Sequence, residues 1–92
     1  MDTTQAEKIA IEVLSWMVSD DDIIGGFLGV TGASPDDLRA QAKDPEFLGF
    51  VLDYLLSDDD MVLNYAQANN RNPTDPMMAR AALPGGQDPN WT

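Results

Sequence analysis

Ninety-two residues are enough for one domain and too few for two. Sixteen acidic residues against five basic ones leave a net charge of −11, so phosphate backbones and anionic membrane surfaces are poor partners, and neither nucleic-acid nor membrane binding is expected. With no cysteine and no histidine, disulfides, thiolate nucleophiles and imidazole chemistry are excluded. No apolar run approaches the roughly 20 residues that span a bilayer. The opening MDTTQAEK lacks the basic segment and apolar stretch of a secretory signal, and a cytoplasmic location is the expectation.

Helix signals run the length of the chain. Thr4 and Glu7 have the spacing of a capping box, and Ala6, Ile9, Ala10, Val13, Leu14 and Met17 follow at helical period, which predicts a first helix over residues 4–18 with Trp16 on the flank of its stripe. Ser19 followed by Asp20, Asp21 and Asp22 reads as a cap with acids in the first turn of a second helix, which turns Ile23, Ile24, Phe27 and Leu28 inward. Gly25 and Gly26 in its middle each cost roughly 1 kcal/mol relative to alanine. They imply a closely approaching backbone or a short, distorted helix. Gly32 is a natural stop.

Ser34 and Pro35 open a brief third helix that ends near Lys43, with proline at the first helical position, where no N–H is needed. Asp44, Pro45 and Glu46 open a fourth by the same grammar. Its stripe of Phe47, Leu48, Val51, Leu52, Leu55 and Leu56 is the most regular in the chain and marks the central helix. Ser57 with Asp58, Asp59 and Asp60 caps a fifth helix carrying Met61, Val62, Tyr65 and Ala66 on one face. Asn72, Pro73, Thr74 and Asp75 begin a sixth that fades after Leu83. The helical domain is thus expected over residues 1–83. Residues 84–92, rich in proline, glycine and asparagine, are expected to form an extended or mobile tail.

A shift of 38 residues superposes two parts of the sequence. Val13 and Leu14 fall on Val51 and Leu52, Trp16 on Tyr54, Ser19 and its three aspartates on Ser57 and its three, Phe27 on Tyr65, and Pro35 on Pro73. Between residues 13 and 37 there are eight identities in 25 positions, where composition gives roughly one or two. The expectation is an all-α fold, a compact bundle of five or six short helices, built from two pseudo-repeated helix-cap-helix units with the first and fourth helices at its centre.

The triple-aspartate runs are the most conspicuous polar features. Consecutive acids on a helix point about 100° apart, so they do not converge on a cation as alternating acids of a calcium loop do. Capping accounts for both runs. There is no serine in a nucleophile elbow, and the glycines form neither a dinucleotide-binding nor a phosphate-binding loop. No catalytic, cofactor-binding or metal-binding residue is assigned, and no cofactor is expected. Phe50 and Tyr54, four apart beside the stripe of the fourth helix, and Trp16 on the corresponding flank of the first fit two roles: widening the core-facing stripe, or lining a partner groove. Trp91, in the tail, fits a docked indole, a linear motif or an idle end.

Four stretches resemble a small family of uncharacterised bacterial proteins, found mainly in alphaproteobacteria and classed as a domain of unknown function. They are residues 6–16 (AEKIAIEVLSW), 27–39 (FLGVTGASPDDLR), 47–56 (FLGFVLDYLL) and 81–86 (AALPGG). The resemblance implies a cytoplasmic, all-helical domain of about this length and carries over no site residue. The expected function is that of a non-enzymatic protein-interaction module, an adaptor or regulator, with a protein partner of basic character meeting the acidic surface. The candidate partner surface is Trp16, Phe50, Tyr54 and Trp91. A structural homo-oligomer, in its simplest form a homodimer, is the alternative, and a metal-binding or enzymatic role ranks below both.

Overall fold

A computed structural model describes residues 1–83, so Trp91 and the rest of the expected tail lie outside the described residues. Six helices follow one another: α1 (Thr3–Val18), α2 (Asp21–Thr31), α3 (Pro35–Gln41), α4 (Pro45–Leu56), α5 (Asp59–Ala68) and α6 (Asp75–Ala82). There is no strand among the described residues.

Five of the six starts carry a side-chain cap, each worth about 1 kcal/mol. The caps are Asp2, Asp20, Ser34, Asp44 and Asp58. Ser34 and Asp37 form the one reciprocal capping box, ahead of Pro35 at the first helical turn. Three expectations need correction at the caps. Helix α1 starts before Thr4, because the Asp2 carboxylate accepts from the Gln5 backbone N–H at 2.8 Å and draws Thr3 and Thr4 into the first turn. Ser19 and Ser57 end the preceding helices rather than starting the next. Each hydroxyl donates back to a carbonyl oxygen, of Trp16 and Tyr54 respectively, at 2.6 Å. The next residue, Asp20 or Asp58, makes the cap. Helix α6 begins at Asp75, since Asn72 turns its amide oxygen to the Thr74 N–H and hydroxyl instead of starting a helix.

The glycine pair does not distort α2, which runs unbroken to a left-handed stop at Gly32, φ 72°. A close neighbour exists, but it is a side chain, not a backbone. A Cβ on Gly26 would stand 2.5 Å from the Tyr54 hydroxyl, whereas one on Gly25 would meet nothing within 4 Å.

Helices α1 and α4 pack against each other and are crossed by α6, while α2 lies on α1 as α5 lies on α4. The core between them takes Ala6, Ile9, Val13 and Met17 from α1 with Leu48, Val51, Leu52 and Leu55 from α4; Phe27 enters from α2, Tyr65 from α5 and Ala79 from α6. The two repeats are visible in this packing. Trp16 of the first meets Tyr65 of the second edge-on, with ring centroids 5.7 Å apart. Tyr54 of the second meets Phe27 of the first in the same way at 5.2 Å. These are equivalent pairs with the partners exchanged, as a pseudo-twofold relation requires. The left-handed Gly32 likewise has its counterpart in Asn70, φ 54°. The equivalence stops at the third element. Pro35 opens α3, whereas Pro73 lies in the turn before α6.

Candidate interaction surfaces

The expected aromatic surface divides once it is placed in the fold. Trp16 and Tyr54 are half-buried, and each is committed to an edge-on contact with a core ring. Such pairs add about 0.5–1.5 kcal/mol beyond the area they bury. Phe50 is 44% exposed. It leans on Phe27 at a centroid distance of 6.2 Å and, with Phe47 and Val30, lines a cleft of about 670 Å³ among α2, α3 and α4. Asp37, Asp44 and Glu46 stand in the same cleft, and among the described residues no lysine or arginine lines it. Asp37 and Asp44 are already occupied in capping.

A second surface was not expected from the sequence. Helices α1, α2 and α3 enclose an open groove of about 600 Å³, with apolar lining from Ile11, Leu14, Val18, Ile24, Leu28 and Leu38. Ile11 is 43% exposed and Val18 51%. Asp36 and Arg39 are the charged residues along it. Arg39 makes no ion pair or hydrogen bond among the described residues. The signal was present: Ile11 and Val18 are apolar positions beside the core stripe of α1, three before and four after its edge residue Leu14. Exposed apolar positions on a helix whose core face is already complete point to a further contact.

Two arginine clamps hold the frame behind these surfaces. Glu12 on α1 accepts from Arg71 through both carboxylate oxygens and from the Tyr65 hydroxyl, and Arg71 also reaches Asp75 at 3.6 Å. The hydrogen bond from Arg71 holds the Glu12 carboxyl below its ordinary range, against the opposing effect of burial. Burial first, and then the bond to Glu12, pushes the Tyr65 phenol up, so it stays neutral. Arg80 of α6 forms a second forked pair with Asp53 of α4. These groups explain one another as structure. No set of three or more Asp, Glu, His or Cys side chains among the described residues is placed to hold a metal ion. No described helix is long and apolar enough to cross a membrane.

The family model for proteins of unknown function, DUF3572, matches residues 3–86. The chain belongs to this family. No curated protein matches the chain, and no solved structure does. The match takes in all six helices of the DUF3572 fold seen here, and thus both clefts, the two clamps and the exchanged aromatic pairs.

Proposed function

We propose that this chain is a non-enzymatic protein-interaction module, an adaptor or regulator, whose principal contact surface is the groove among α1, α2 and α3. The observation that carries this reading is Ile11 and Val18, two aliphatic side chains about half exposed on a helix whose other apolar face is fully used in the core. Exposed aliphatics on a groove wall are a contact surface waiting for its counterpart, whereas single scattered ones are ordinary. Asp20 and Asp58 cap helices, and Glu12 and Asp53 pair with arginines, which favours binding over chemistry at these acids.

The α2–α3–α4 cleft supports a second contact. Its aromatic floor at Phe50 and three carboxylates, with no cation among the described lining residues, suit a basic segment of a protein, which would be drawn in by the charge of −11. The same charge weighs against a homo-oligomer built on this surface, and against nucleic acid. A chain without cysteine suits a cytoplasmic setting.

The test is affinity capture from native extract with the intact chain, an Ile11→Asp/Val18→Asp variant and a Phe50→Ala variant. A saturable partner retained by the intact chain and lost by the first variant is the expected result. Recovery of the same partners by all three baits, or of none by the intact chain, would overturn the reading.

A further inference from the structure

The α1–α2–α3 groove has a counterpart in the second repeat, where the part along α4 is closed, while Ala66 and Pro73, the counterparts of Leu28 and Pro35, still line a cleft. Moving 38 residues along the chain carries Ile11 to Gly49, Ile24 to Val62 and Leu28 to Ala66. The first three are half-buried or exposed, while Gly49, Val62 and Ala66 are all buried. The cover over Gly49 comes from a helix: the Arg80 guanidinium of α6 lies across it, within 3.0 Å of where a Cβ would stand, and pairs with Asp53, the counterpart of Ser15. Helix α6 packs on both α4 and α1. Helix α3, which follows in the corresponding place in the sequence, makes only marginal contact with α1 and leaves Ile11 and Val18, on either side of buried Leu14, exposed.

From this we infer that the groove is the seat of one amphipathic helix from a partner protein, lying on α1 as α6 lies on α4. The inference rests on the reading of the chain as an interaction module and specifies the form of its partner. The differences between the repeats define the occupant. Where Gly49 admits a guanidinium flat against the backbone, Ile11 fills that space, so the occupant brings small or aliphatic residues there, not an arginine. Where Asp53 calls for a cation, Ser15 does not. The cation on this side is Arg39, without a partner among the described residues, so a carboxylate beside the apolar stripe of the occupant completes the contact. From Ile11 to Val18 is about 10 Å, two turns of α1, which sets the length of the seat. A second copy of this chain is a poor occupant, because each copy brings the same strong negative charge.

The experiment selects a displayed library of randomised helical peptides, roughly 16 residues each, on the whole chain. Binding of the enriched peptides is then measured by fluorescence anisotropy, and the contact is mapped by amide chemical shifts. Enriched sequences are expected to carry an apolar stripe at i, i+3, i+4, i+7 with Asp or Glu on one flank, and to shift residues of α1, α2 and α3. Ile11→Asp or Val18→Asp should weaken them about tenfold or more. Arg39→Glu, an exposed change that leaves the core intact, should weaken them about threefold and shift preference to lysine-flanked versions of the same stripe. Lack of enrichment, enriched peptides without a helical stripe, shifts centred on Phe50, or indifference to Ile11→Asp and Arg39→Glu would each overturn the assignment. If extract capture depends on Ile11 and Val18 while no helix is selected, the helical occupant falls and the interaction module stands. If both fail, both fall.

Discussion

Gly25 and Gly26 are neighbours in one helix, yet alanine should separate them. Each glycine in a helix interior costs about 1 kcal/mol relative to alanine. A Cβ on Gly25 meets nothing within 4 Å, so Gly25→Ala should recover close to that amount, a rise in Tm of about 4–8 °C for a domain of this size. At Gly26 the same methyl stands 2.5 Å from the Tyr54 hydroxyl oxygen, and the oxygen must retreat by about 1 Å to restore ordinary contact. The ring that carries it is held edge-on against fully buried Phe27, so the movement disturbs the core, at a cost of about 1–3 kcal/mol. The net for Gly26→Ala therefore lies between no change and a loss of about 2 kcal/mol. Tyr54→Phe removes the offending atom, and the next nearest, Cζ, is an ordinary 3.8 Å away. The double variant Gly26→Ala/Tyr54→Phe should then regain the full helix benefit, with a coupling of about 1–3 kcal/mol in the double-mutant cycle. Urea titrations followed by far-ultraviolet circular dichroism measure all four chains. Equal stabilisation by the two alanines, or no rescue by Tyr54→Phe, would refute the placement of Tyr54 over Gly26.

The other stability predictions concern the repeated caps and the Glu12 clamp. Asp20→Ala and Asp58→Ala should each cost about 1 kcal/mol and add in the double variant, because the two caps have matching bonds and share no partner; unequal or strongly coupled losses in urea titrations would contradict the equivalence. Glu12 has its carboxyl lowered by Arg71, so its contribution is present above its ordinary pKa of 4.5 and lost as pH falls through the lower folded value. Urea midpoints measured down the acid range should fall less steeply for Glu12→Gln than for the intact chain. Tyr65 acts at the other end. Its phenol is raised, so stability falls once pH passes 10.0, where the unfolded phenol ionises and the folded one does not; Tyr65→Phe should flatten that alkaline limb.

The helices were legible because their starts are written locally. A carboxylate or hydroxyl two or three residues ahead of a bare N–H needs no tertiary context, and Asp44 with Pro45 or Ser34 with Pro35 marks its helix unaided. The one-residue offset at Ser19 and Ser57 was not legible, because a serine hydroxyl serves equally well as a donor to the turn behind it. The repeat was legible as register, but the exchange of partners between Trp16, Tyr65, Tyr54 and Phe27 depends on how two hairpins meet in space. The same limit hid the clamp of Arg71 on Glu12, 59 residues away, and the Tyr54 hydroxyl above Gly26. For the candidate groove the clue was local. Ile11 and Val18 stand off the core stripe of α1, and only the burial of that stripe shows them to be surplus.

Helix α6 crosses α1 and α4, so the last of the described helices closes a core that α1 opens. A ribosome delivers these elements in order, and at about 5–20 residues per second several seconds separate the exit of α1 from that of α6. Through that interval α1 to α5 can pair as hairpins, with the core face that awaits Ala79 still open to water. Final closure is therefore a late, long-range event of synthesis. Any premature stop ahead of Asp75 releases a chain whose central helices lack their cover, the sort of product that chaperones and proteases remove.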